Sequence, residues 1–188
     1  MIEPSKLLNG IIRPACASLS NFLEIPMINT PSAHALLLRI AAVESSLRFR
    51  RQHHDGPGTS WWQIEPLTAA SLMARAWDDP VWSNWAEVFD PERTGPIAKR
   101  HNGEQSELAR TRILVRLAFD PIFACQLARA KLWFAPEPLP PPEDVDGQAR
   151  YWKRWYNTPL GKGTVEAFKQ ARAELLASVE KANGWWSG

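Results

Sequence analysis

The chain is short of cysteine: Cys16 and Cys125 are the only two in 188 residues. So small a number, so far apart, is no disulfide framework, and both thiols are expected free and buried, as in a protein made in a reducing cytoplasm. Long apolar runs are missing too. None reaches the roughly 20 residues that span a membrane. Near the N-terminus Asn9, Gly10, Arg13 and Pro14 interrupt the apolar residues, so neither membrane insertion nor a secretory signal peptide is expected. Charge of one sign is scarce: 22 Lys and Arg face 20 Asp and Glu, for a net charge of +2. No basic stripe with interleaved aromatics occurs, which argues against a nucleic-acid partner. Period-two alternation is lacking, so strands are not expected, and there is no internal repeat.

What remains is a helical pattern across a single domain, residues 1–188. Helices are expected over 4–22, with a break near Pro14, and over 30–48, where Thr30 caps and Pro31 takes the first position. The second of these is apolar nearly all round, so it should be central and buried. A loop follows to about Pro66, then helices over 67–77 and 82–89, a loop over 90–103, and an amphipathic helix over 104–119 with Leu108, Ile113, Leu114 and Leu117 as its apolar positions. Asp120-Pro121 opens a helix to 134. The prolines at 136–142 form a stiff strap. Helices over 145–156 and 164–183 finish the chain, the last stopped by Gly184. The fold class is therefore all-α.

Chemistry concentrates at Glu44. Leu37, Ile40 and Ala41 precede it by seven, four and three residues and share its helix face. A carboxyl on an apolar stripe is either paired or raised in pKa, and a raised pKa suits a general acid. Arg48, four residues on, offers the pairing alternative. Beyond it come Gly56-Pro57-Gly58, then Trp61-Trp62-Gln63-Ile64-Glu65-Pro66, then Thr68-Ala69 at a helix start. His53 and His54 lack a cysteine or carboxylate at metal-ligand spacing, so no metal and no cofactor is expected.

Glu44-Ser45, the glycine loop, Gln63-x-x-Pro66 and Thr68-Ala69 resemble the first signature of the soluble lytic transglycosylases, relatives of goose-type lysozyme. The form of the loop resembles a bacteriophage branch. Tyr156-Asn157, followed by Gly161 and Gly163, is similar to the family's second signature. The chain departs from the pattern at Ser60, where the family has glycine. The loop over 50–54 also lacks the usual serine.

The resemblance implies a lysozyme-like helical domain with a substrate cleft that cleaves the β-1,4 bond between MurNAc and GlcNAc in peptidoglycan. Glu44 would be acid and then base. Ser45, Trp61, Trp62, Gln63, Glu65, Tyr156 and Asn157 would bind the glycan strand, with one of the two tryptophans a sugar platform and the other core. A lytic transglycosylase needs only one carboxylate and leaves a 1,6-anhydro end. A lysozyme would need a second, for which Asp55 and Glu65 are candidates. Such a protein, lacking a signal peptide, would reach the periplasmic wall as an endolysin through another protein's pore, as an injected effector, or within a virion beside phage-particle proteins. The alternative is a lysozyme-fold protein that binds the wall or a phage partner without turnover.

Overall fold

The computed structural model describes residues 1–48, 58–98, 103–157 and 161–185. They are mainly helical, and no strand occurs among them; Thr59 and Ile64 form an isolated antiparallel bridge. None of their helices is long and apolar enough to cross a membrane. The helices are α1 (Pro4–Leu7), α2 (Arg13–Leu23), α3 (Pro31–Ser45), α4 (Pro66–Asp78), α5 (Ser83–Phe89), α6 (Thr94–Ala98), α7 (Glu104–Phe119), α8 (Pro121–Trp133), α9 (Val145–Tyr151) and α10 (Val165–Ala182). Two π turns, Leu8–Ile12 and Trp152–Asn157, continue α1 and α9.

The expected helix ends follow from side-chain caps. The Thr30 hydroxyl accepts from Ala33 N at 3.2 Å, Asp120 from Phe123 N at 2.9 Å, and Thr164 from Ala167 N at 3.1 Å. Each satisfies one of the free N–H groups of a helix start.

Four expectations are corrected. Pro14 does not break the first helix, because the wide turn at Leu8–Ile12 precedes it and carries the chain past the missing N–H. Helix α3 stops at Ser45, not Arg48, because Ser46 and Leu47 take left-handed φ values of 49° and 54°. The stretch over 90–103 is not all loop: the buried Asp90 carboxylate accepts from Thr94 N at 2.7 Å and Gly95 N at 2.8 Å, which starts α6. On α7 the buried face is Ser106, Ala109, Ile113 and Leu117, while Leu108 is exposed.

Helix α3 is the centre. From Ala35 to Ala42 every residue is fully buried. α10 packs along it and α9 along α10; α2 lies on α8, and α4, α6 and α7 form a neighbouring layer. Cys16 on α2 and Cys125 on α8 are free and buried, as expected.

A helix without an aqueous side must pair any charge it carries. Arg39 does so. Its Nε donates to Glu180 Oε1 at 2.7 Å and its Nη1 to Gln148 Oε1 at 2.7 Å, and Arg172 Nε reaches Glu180 Oε2 at 2.6 Å. Gln148 Nε2 in turn donates to the Pro140 and Pro141 carbonyls at 3.1 and 3.3 Å, so the proline strap is tied to the same network. Glu180→Gln would leave the Arg39 charge buried without a counter-charge. It is expected to cost about 3–5 kcal/mol, read as a drop in unfolding free energy by denaturant titration. A loss under about 1 kcal/mol would show the pair to be no more than a surface ion pair in its worth.

Candidate active site

Glu44 stands in the last turn of α3, where the helix reaches the edge of the core. Because α3 ends one residue later, the helical register that would set Arg48 beside it does not exist, and no ion pair joins the two. The partner is instead an indole: Trp152 Nε1 donates to Glu44 Oε1 at 3.0 Å. Burial raises the Glu44 pKa above the ordinary carboxylate range, opposed by the Trp152 hydrogen bond and the charge of Lys131. Ser45, next to it, is buried and turned inward; its hydroxyl donates to the Ala41 carbonyl at 2.8 Å.

The loop that brings up Gln63 is clasped at its base. Thr59 N donates to Ile64 O at 3.1 Å and Ile64 N to Thr59 O at 2.9 Å. Between them Ser60 and Gln63 adopt left-handed φ values of 73° and 48°. The left-handed region suits glycine, so the position where Ser60 departs from the family pattern is the one that would benefit from it. Two such residues around the tryptophan pair also abolish the alternation of an extended chain. Trp61 is 4% and Trp62 0% exposed, packed edge to face. The expected platform-and-core division is therefore corrected, since both are core. Trp62 Nε1 donates to the Leu37 carbonyl on α3 at 2.9 Å.

Gln63 Nε2 donates back to the Ser60 carbonyl at 2.7 Å, and its Oε1 is buried without a hydrogen-bond partner. The second half of the site comes from the π turn after α9. The Tyr156 hydroxyl donates to the Trp62 carbonyl at 2.9 Å, which joins the two sequence signatures directly. Burial, then the charge of Glu44, hold the phenol well above its ordinary pKa, so it stays a neutral donor. The Asn157 side-chain oxygen accepts from Lys153 Nζ at 2.9 Å, and the same ammonium donates to the Gly161 carbonyl at 2.7 Å. A Cβ on Gly161 would overlap the Asn157 carbonyl and side-chain oxygens, and one on Gly163 would lie 2.5 Å from Trp152 Cη2. Gly163 thus lets its backbone close against the indole that holds Glu44, and Gly161 lets its backbone close on Asn157.

These groups surround one cavity of about 700 Å³. Glu44, Gln63, Glu65, Tyr156 and Asn157 all line it, with Lys131, Lys162 and Trp152. Ser45, Trp61 and Trp62 do not. Asp55, His53 and His54 lie outside the described residues, among which no cluster of metal-ligating side chains occurs.

Two residues were not anticipated. Lys131 stands in the last turn of α8, and its Nζ donates to the Tyr156 carbonyl at 2.8 Å while lying 4.0 Å from the centre of that residue's ring. Trp152 precedes Tyr156 by four residues, a helical spacing that was the available signal.

Ser60→Gly should relieve about 1–2 kcal/mol of left-handed strain against about 0.5–1 kcal/mol of added chain entropy. Thermal melts are expected to show no loss of stability. Ser60→Val, β-branched at the same φ, should cost about 1–3 kcal/mol. A glycine variant less stable than the valine variant would reject this account of the loop.

Compared with known proteins, the chain matches no family model, no curated protein and no solved structure.

Proposed function

We propose that this protein is a peptidoglycan-cleaving enzyme of the lytic transglycosylase type, with Glu44 as its acid and base. The observation that carries the proposal is convergence. Glu44, Gln63, Tyr156 and Asn157, from two signatures about 100 residues apart, line one cavity of about 700 Å³.

The chemistry follows from Glu44's surroundings. Burial keeps a proton on the carboxyl toward neutral pH, the state needed to protonate the leaving glycosidic oxygen. Oε1 is fixed by Trp152, and no described side chain takes Oε2, so that oxygen is left for the substrate. As the C1–O4 bond breaks, the N-acetyl carbonyl of the sugar supports the oxocarbenium-like centre. The C6 hydroxyl then attacks C1 and returns its proton to Glu44, closing a 1,6-anhydro ring. Gln63, held by the clasped loop, offers its unpartnered Oε1 to an amide N–H such as that of the N-acetyl group. Glu65 lines the same cavity, so a water activated there would give a hydrolytic product instead. Mass spectrometry of muropeptides after digestion separates the two outcomes. Delivery to the wall from a phage, in the lysis step or within a particle, fits the phage-like form of the loop.

Glu44→Gln keeps the shape and the acceptor for Trp152 but removes the transferable proton. Turbidity loss of purified walls is expected to fall by about 10²–10⁴-fold or more. A folded variant that clears walls near the parent rate would remove Glu44 from the mechanism. A parent that binds walls without releasing muropeptides would favour the non-catalytic alternative.

The same substitution has a pH signature in stability. The folded-state pKa of Glu44 is raised, so the folded protein binds more protons than the unfolded chain in the window above the ordinary carboxylate pKa. Parent stability therefore falls as pH rises through that window. Glu44→Gln escapes the loss. Its melting temperature relative to the parent should be higher at pH 8 than at pH 4. An equal difference at both would mean Glu44 is not desolvated in solution.

A further inference from the structure

A single carboxyl that serves as acid and then base has a second requirement. Once it has given its proton, it must survive as an anion in a part-buried site, or the step reverses. Trp152 supplies one hydrogen bond toward that end. A hydrogen bond from a neutral indole is a small compensation for a lost water shell.

Lys131 supplies the charge. It rises from α8 into the cavity that Glu44 lines. Its ammonium is held in place from two sides, by the Tyr156 carbonyl at 2.8 Å and by the face of the Tyr156 ring at 4.0 Å. That ring is itself fixed, because its hydroxyl donates to the Trp62 carbonyl. So the cation cannot swing out to solvent as a surface lysine does. Among the described residues no carboxylate forms an ion pair with it. Its charge is therefore not consumed by a contact, and it acts on the acids of the cavity through space. A full ion pair would have occupied Glu44's oxygens; this arrangement leaves Oε2 for the sugar.

We propose that Lys131 is a positioning residue that stabilises the Glu44 carboxylate left after proton transfer and so sets the pH range over which Glu44 can alternate between acid and base. The inference rests on the catalytic reading of Glu44. Among the described residues the other titratable groups that line the cavity are Glu65 before α4, Tyr156 on the π turn and Lys162 on the turn after it. Tyr156 is held neutral, and Lys162 is exposed where solvent screens it. Lys131 is the cation among them that is both desolvated and fixed. Burial lowers its own pKa, and the charges of Glu44 and then Glu65 pull it back up, the pull of Glu44 being the reciprocal of what Lys131 does to that carboxyl.

The test uses the full chain with ¹³C-labelled glutamate. The Glu44 carboxyl resonance is assigned by its absence in Glu44→Gln and titrated in the parent, in Lys131→Gln and in Lys131→Arg. The glutamine variant keeps a donor for the Tyr156 carbonyl and loses only the charge; Lys131→Met is a second neutral substitution should that one not fold. The neutral variants are expected to titrate at Glu44 about half to one pH unit higher than the parent, with Lys131→Arg returning to the parent value. Wall clearing should follow. The alkaline limb moves up by the same amount, and kcat falls about 3–10-fold with little change in KM. A Glu44 midpoint unmoved in the neutral variants would overturn the proposal. If the parent does not clear walls at all, the enzymatic reading fails, while the titration still shows whether Lys131 governs the Glu44 proton.

Discussion

Everything in this protein follows from a central helix with no side left for water. Helix α3 is buried around its whole circumference, so its one cation must find an internal counter-charge, and it finds Glu180 on α10. The same constraint acts at the other charged residue, Glu44, but with a different outcome. There α3 ends, two left-handed residues turn the chain away, and the carboxyl is caught between core and cavity. Deeper in the helix it would require a buried partner like that of Arg39. Farther out it would be an ordinary solvated acid. The edge position gives it an indole on one oxygen and open space by the other.

Much of the fold could be read from local chemistry. Thr30-Pro31, Asp120-Pro121 and Thr164 announce helix starts because a side-chain acceptor and a proline or free N–H sit at the right offsets, and such signals do not depend on the rest of the chain. The misreadings arose where tertiary structure decides. Nothing in Ser46-Leu47 demands left-handed backbone; those residues accept it because Leu47 is buried and its carbonyl receives the Ile2 N–H at 2.8 Å. Leu108 looks like a core position and is exposed, because α7 is placed by Ala109, Ile113 and Leu117 against α4 and α6. The short α6 depends on Asp90, which is an unremarkable acid in sequence and a buried N-terminal anchor in the fold.

The candidate site was legible to the extent that its residues belong to contiguous patterns. Glu44, Gln63, Glu65, Tyr156 and Asn157 were picked out and share one cavity. The tryptophan pair misled because a large aromatic beside a binding loop is read as a platform, whereas here both rings fill the space under the loop and Trp62 braces it to Leu37. Lys131 and Trp152 escaped notice for the opposite reason. Each is a single residue inside a helix whose significance appears only when α8 and the π turn meet the end of α3.

The buried network around Arg39 also orders events during synthesis. Its bond to Glu180 spans 141 positions, and the Trp152–Glu44 contact spans 108. A chain emerging from the ribosome makes α3 early, yet that helix carries a charge it cannot neutralise and a carboxyl it cannot position until the last helices arrive. Because Trp152, Tyr156 and Lys162 are part of its lining, the cavity is complete only when the segments at and after α9 have packed against α3. Whatever chemistry the site performs is withheld from the growing chain by topology alone.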